Sequence, residues 1–300
     1  MITREDLHIP VMRREVIDFL ALKPGMCVVD ATLGLGGHAE AILEKIAPSG
    51  RLIAIDRDVE SLVLAKERLK GFASNIEFVN EDFRNIDRVV SGLNLKAADA
   101  VLFDLGISSF QLDESDRGFS FTNDGPLDMR MDRNSYISAY DLVNNLSVKE
   151  LSNILRTFGE ERFHYRIASR LSLERQKSPI ASTKQLAEVV LRAMPYKAKW
   201  SNIHPATRTF QALRIAVNRE LEALDEGLSK AIRILTSGGR ICVISFHSLE
   251  DRIVKRRFLS LAHNNELAII TKKPICASVE EINSNPRSRS AKLRCAERKK

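Results

Sequence analysis

Three aspartates each close a short apolar run: Asp30 follows Cys27-Val28-Val29, Asp56 follows Leu52 to Ile55, and Asp104 follows Leu102-Phe103. A fourth, Asp82, lies just past the run Ile76 to Asn80. After Asp30 the chain reads Gly34-Leu35-Gly36-Gly37-His38, then Ala39-Glu40-Ala41-Ile42-Leu43, a glycine loop entering a helical pattern. Strand, glycine loop and helix N-terminus together make a seat for a nucleoside cofactor. Asp56 suits a ribose, because one carboxylate accepts hydrogen bonds from both hydroxyls. The glycines also fit a dinucleotide fingerprint, G-x-G-x-x-A, with Ala39 in the last place. Asp30 separates the two cofactors. It would repel a pyrophosphate but suits the ammonium of a methionine moiety, and His38 is bulky for a place where phosphates lie against backbone. These residues favour S-adenosylmethionine; a tight turn in an unspecialised α/β protein is the plainer alternative.

The other two aspartates extend the same edge. Asp82 is placed to accept the adenine amino hydrogens, and Phe83 to pack on the purine face. Each has an ordinary structural role open to it as well, a helix cap for Asp82 and a core anchor for Phe83. Asp104 stands where a transferred methyl would meet its acceptor. It suits an exocyclic amine or the ammonium of the cofactor, and Gly106 lets the backbone approach a flat substrate.

Such an edge needs a parallel sheet. Cys27 to Ala31, Leu52 to Ile55, Ile76 to Asn80 and Ala100 to Asp104 read as strands. Ala39 to Ile46, Val59 to Leu69 and Phe83 to Ser91 read as the helices between them, so the fold class is α/β with a sheet covered on both faces. Arg240 to Phe246, after the Gly238-Gly239 turn, reads as a further strand; Leu267 to Thr271 and Leu293 to Ala296 complete the sheet. The gap between holds helical patterns at Val148 to Thr157, Arg162 to Glu174 and Lys184 to Met194, and a long one from Ala206 to Leu235. The expected organisation is a core over 1–106, a helical insertion over 107–205, and the rest of the core with a basic tail over 206–300.

Composition narrows the class. With 44% hydrophobic residues among 300 the chain has ample core, and no apolar run approaches a membrane span. Cys27, Cys242, Cys276 and Cys295 are isolated and the six histidines lack ligand spacing, so neither zinc nor disulfides are expected. A reducing cytoplasm, with no signal peptide, is the expected location. The net charge is +7, and most of it falls between Asn283 and Lys300, where seven basic residues face Glu297 alone. Such a block suits a phosphate backbone, or is a solvated tail.

Longer segments carry a resemblance. They include His8 to Met12, GLGGH, AIDRD at Ala54 to Asp58, DLGISSFQLD at Asp104 to Asp113 and RGFSF at Arg117 to Phe121. DGPLDMRMD at Asp124 to Asp132, FGEERF at Phe158 to Phe163, and HPATRTFQALRIAVN at His204 to Asn218 follow. SFHSLEDRIVK at Ser245 to Lys255 and NPRSRSAKLR at Asn285 to Arg294 complete them. In this order they resemble the bacterial small-subunit ribosomal RNA cytosine-N(4) methyltransferase family, the MraW type.

The resemblance implies a class I, Rossmann-like S-adenosylmethionine-dependent methyltransferase with a helical insertion. It implies 16S ribosomal RNA as substrate, met within the small ribosomal subunit, and N(4)-methylcytidine in the decoding region as product. By position it carries cofactor contacts to Gly36, Gly37, His38, Asp56, Phe83, Asp104 and Gln111, with Asp104 the leading catalytic residue. RGFSF and Asp128 to Asp132 are candidates for a lid over the base. His204, Arg208, Ser245, His247 and Arg287 are candidate RNA contacts. A non-catalytic RNA-binding assembly factor, and a dehydrogenase, are the competing functions.

Overall fold

The computed structural model describes residues 10–196 and 204–299. His8 and Ile9 of the first matching segment, and Lys300 of the basic block, lie outside the described residues. The chain divides into two compact units. One runs up to Ser108 and resumes at Leu221; the other is Ser109–Glu220.

The first unit alternates as the apolar runs predict. It holds α1 (Arg13–Leu20), β1 (Cys27–Asp30), α2 (Gly37–Ile46), β2 (Arg51–Asp56), α3 (Val59–Arg68), β3 (Ile76–Asn80), α4 (Ile86–Gly92) and β4 (Ala98–Asp104). The second unit holds α5 (Ser109–Asp113), α6 (Ala139–Asn145), α7 (Val148–Gly159), α8 (His164–Arg175), α9 (Thr183–Ala193) and α10 (Thr207–Asn218). After α11 (Glu220–Ile234) come β5 (Leu235–Ser245), α12 (Ser248–His263), β6 (Leu267–Ile269), β7 (Ile275–Cys276), α13 (Val279–Ser284) and β8 (Lys292–Arg298).

The strands form one sheet in the order β3-β2-β1-β4-β5-β8-β6, with β7 paired to β8. β1 to β5 are parallel, and β8 runs antiparallel to β5 and β6. Successive residues point to opposite faces, and each face has its own core. Val28, Leu52, Ala54, Ala100 and Leu102 pack with Val16, Ile42, Leu43 and Leu62 of α1, α2 and α3. Val29, Ile53, Ile55, Val101 and Phe103 pack with Ile86, Leu224, Leu228, Val254 and Phe258 of α4, α11 and α12. Both faces being buried explains why the strands read as unbroken apolar runs. This strand order, with an antiparallel strand beyond β5, makes an open, Rossmann-like α/β sheet. Its order reverses beside β1, which opens a crevice at the carboxyl ends of β1 and β4.

Three expectations change. The pattern from Ala206 to Leu235 is not one helix: Arg219, at φ 49, ends α10, and α11 starts afresh. The helical unit therefore runs to Glu220, past the expected 205, and begins at Ser109, two residues after 107. No glycine or proline marks that break, so nothing local in the chain announces it. The C-terminal basic block is no tail, because β8 lies inside the sheet between β5 and β6. Arg294 pairs with Asp251 at 2.6 Å, and Arg240 with Glu297 at 2.9 Å. Helices α1, α5, α6, α12 and α13 are additions to the expected set.

In the second unit RGFSF and the stretch from Asp128 to Asp132 form a packed loop. Arg117 is fully buried and donates to the carbonyls of Arg130 (3.1 Å) and Met131 (3.0 Å). Asn218 of α10 accepts from the Met131 amide at 2.9 Å and donates to the Met129 carbonyl at 2.8 Å. Phe121 packs on Phe210 and His204, with centroids 4.9 and 4.6 Å apart. These residues anchor the unit's own architecture. Asn218→Leu strands two buried backbone groups, and we expect a loss of about 2–4 kcal/mol. Urea unfolding with an unaltered midpoint would contradict that anchoring.

Candidate active site at the strand ends

The loop after β1 is stitched to both neighbours. The Ala31 amide donates to the Leu102 carbonyl at 2.9 Å, and the Leu33 amide to the Ile55 carbonyl at 3.0 Å. Thr32 lies between them and was not anticipated from sequence. Its hydroxyl accepts from the Asp104 amide at 2.6 Å, while its amide donates to Asp30 Oδ1 at 3.1 Å. One threonine thereby ties the two acidic strand ends together. Asp56 is held similarly: Oδ2 accepts from the Gly34 amide (2.7 Å) and Oδ1 from the Asp58 amide (2.8 Å). Each carboxylate oxygen keeps a second lone pair for a ribose hydroxyl. Gly36 has φ 77 and caps α2, and an added Cβ would stand 3.0 Å from Leu69 Cδ1. The turn thus needs glycine for conformation and for space.

Buried polar atoms converge on the crevice. Asp30 is 1% exposed and His38 5%. Among the described residues, Asp30 Oδ2, both His38 ring nitrogens and Asp104 Oδ1 have no hydrogen-bond partner. His38 Nε2 lies 3.5 Å from Asp104 Oδ2, close enough for attraction but without hydrogen-bond geometry. Folded proteins satisfy nearly all such groups. Several orphans on three neighbouring side chains at a switch point mark where a polar ligand belongs. Burial pushes the Asp30 carboxyl up to about 7; His38 and the Thr32 amide oppose this, while the Asp104 and Asp56 charges add to it. Burial also raises Asp56 to about 6, against the amides of Asp58 and Gly34.

This chemistry fits a cation. The ammonium and sulfonium of S-adenosylmethionine suit a rim carrying Asp30, Asp56 and Asp104, whereas a pyrophosphate would face three carboxylates. The dinucleotide reading fails on that charge. Gly36, Gly37, His38, Asp56 and Asp104 share this rim. Gln111 sits on α5, buried within the second unit.

Several expected contacts also have structural work. Asp82 caps the turn after β3 through the Arg84 amide at 2.9 Å and pairs with Arg84 (3.0 Å) and Arg57 (3.6 Å). Desolvation raises its carboxyl, yet the Arg84 hydrogen bonds and the Arg57 charge outweigh it and hold the pKa below the ordinary value. Its oxygens are therefore committed, which argues against the adenine role. Phe83 is half-buried, edge-on to Phe103 at 5.4 Å, and packs in the core. Ser245 is buried with its hydroxyl on the Lys292 carbonyl, and His247 caps α12 in a reciprocal box with Glu250. His204 and Arg208 are exposed, Arg208 donating to the Glu160 carbonyl; Arg287 is exposed on the core unit.

The raised Asp30 gives a signed prediction. The folded chain holds this proton more tightly than the unfolded chain, so its stabilising effect is complete below the ordinary carboxylate range. It is lost as pH rises through about 7. Asp30→Asn removes the buried charge and should raise the melting temperature of the ligand-free protein at pH 8, with the gain shrinking towards pH 5. The same variant should lose at least about tenfold in affinity for S-adenosylhomocysteine, as a charge-assisted contact disappears. A variant less stable at pH 8, with unchanged affinity, contradicts this assignment. Thr32→Val should weaken the same binding while Thr32→Ser preserves it, as read by calorimetry.

A profile of the MraW methylase family matches residues 5–299. The chain is 49% identical to the ribosomal RNA small subunit methyltransferase H of Caldicellulosiruptor saccharolyticus, over 97% of this chain and 99% of that one. It is 47% identical to the protein of that name from Halothermothrix orenii and 48% to that from Trichlorobacter lovleyi, each over 97% of this chain and 98% of the relative. A family-wide match over nearly the full length, on a sheet whose rim holds its carboxylates ready for a cation, establishes the chain as a member of the MraW methylase family, with S-adenosylmethionine as its methyl donor.

Proposed function

We propose that this protein methylates the exocyclic 4-amino group of a cytosine in the decoding region of 16S ribosomal RNA, giving N(4)-methylcytidine. The relatives just described bear the name of a small-subunit ribosomal RNA methyltransferase. The observation that carries the chemistry is the group of unpartnered polar atoms on Asp30, His38 and Asp104.

When bound, S-adenosylmethionine supplies an electrophilic methyl on a positively charged sulfur. The residues of the chain do the rest. Gly36 and Gly37 bring the backbone close, Asp56 accepts the ribose hydroxyls, and Asp30 faces the ammonium. Phe83 borders the purine with the part of its ring left outside the core. The amino nitrogen of cytosine is a poor nucleophile because its lone pair conjugates with the ring. Asp104 is therefore central to the chemistry. Its unpartnered Oδ1 accepts an amino hydrogen, favours rehybridisation and stabilises the positive charge that develops. His38 Nε2 lies 3.5 Å from the other oxygen of Asp104. No cysteine is needed, since the transfer is direct, and alignment supplies most of the acceleration.

The helical unit, Ser109–Glu220, serves in this reading to recognise RNA. A cytosine must be unpaired or extruded to present its amino group. Two measurements test the proposal. Ribosomal RNA from cells lacking the protein should have lost N(4)-methylcytidine by mass spectrometry of nuclease digests; an undiminished signal would overturn it. In single-turnover assays Asp104→Asn should slow transfer by roughly 10²–10³-fold, and a wild-type rate would remove Asp104 from the chemistry.

A further inference from the structure

The outer face of α8 has a composition that packing within its unit does not explain. Ile167, Ala168 and Leu171 are buried on the inner side. Tyr165, Arg166 and Leu173 fall on the opposite side at helical spacing, and Arg162 lies in the turn just before the helix; all four are exposed, Tyr165 at 65% and Leu173 at 55%. This stripe carries no carboxylate. Glu174 lies to one side, where Arg170 (2.7 Å) and Lys177 (3.1 Å) pair with it. Arg166 has no carboxylate partner among the described residues, and the Arg162 guanidinium lies 5.9 Å from the ring of Phe163. The neighbouring α9 differs, since its exposed Arg192 is paired with Glu188 at 3.1 Å.

We propose that this face of α8 and the turn leading into it form an RNA-docking surface, with Arg162 and Arg166 on backbone phosphates and Tyr165 stacking on an unpaired base. The inference rests on the RNA substrate proposed above and goes further by naming the surface. Charge complementarity selects the partner: free guanidiniums without acids match a polyanion and pair readily with phosphate. An exposed tyrosine beside them adds the stacking that single-stranded RNA recognition uses. Leu173, at the end of the stripe, gives the sugar–base edge an apolar contact.

The test uses the full chain, deproteinised 16S ribosomal RNA, and isolated small subunits as probes, with binding followed across a salt series. Replacing both arginines, Arg162→Ala with Arg166→Ala, should weaken binding about tenfold at low salt. It should also make the slope of log affinity against log salt shallower by about 1.5, as two phosphate contacts vanish. Tyr165→Ala should weaken binding about tenfold at every salt concentration, whereas Tyr165→Phe keeps the ring and should bind like wild type. Melting temperature and S-adenosylhomocysteine affinity should stay unchanged, which separates loss of a surface from loss of the fold. Variants that bind RNA with wild-type affinity and slope would overturn the proposal. So would variants that bind naked RNA normally and lose only the assembled subunit, since that points to a protein contact. Absence of RNA binding by the wild-type chain would bring down the substrate reading itself; wild-type binding with insensitive variants brings down this surface alone.

Discussion

A desolvated carboxylate with an unfilled acceptor is costly, and the sheet is built to hold one in place. Asp30 ends β1 almost wholly buried, with one oxygen on the Thr32 amide and the other without a partner among the described residues. Water would relieve that strain at once, so the surroundings must be stiff enough to prevent relaxation. They are: β1 is hydrogen-bonded along both edges, to β2 and to β4. The loop leaving it is tied to both neighbours by further amides. Rigidity at this point converts an unfavourable burial into a preorganised seat for a cation.

The alternation of side chains along the strands supplies that stiffness. Val28 and Val29 face opposite cores, as do Leu52 and Ile53, so each strand is clamped between two helical layers. A register slip by one residue would exchange both cores and carry the terminal aspartates away from the rim. The acidic edge is thus a consequence of how the apolar strands pack. Thr32 adds the last link. Its hydroxyl caps the Asp104 amide, which lies beyond the four residues of β1 and has no strand partner there.

Much of this was legible in the chain itself. Buried parallel strands give continuous apolar runs, and their ends showed in Asp30, Asp56 and Asp104. What escaped depends on tertiary partners. Arg219 turns left-handed with no glycine to announce it, while Asn218 beside it spends its side chain on Met129 and Met131. Asp82, Ser245 and His247 left cap and contact both open, because polar residues at strand ends are ambiguous and only the identity of their partners decides. Thr32 was invisible for the converse reason, since its role lies in two bonds, one of them to a residue far along the chain.

Charge illustrates the same limit most clearly. The densest basic stretch of the chain, after Asn283, suggested an arm for nucleic acid. In the fold its strand lies in the sheet, and Arg294 and Lys292 both face Asp251 while Arg298 donates to backbone carbonyls. A cation already neutralised by a carboxylate offers little to a phosphate, because binding would have to break the pair first. Arg162 and Arg166 have no carboxylate partner among the described residues. Electrostatic recognition therefore follows the distribution of unpaired charge over the folded surface, and the linear density of lysine and arginine is a poor guide to it.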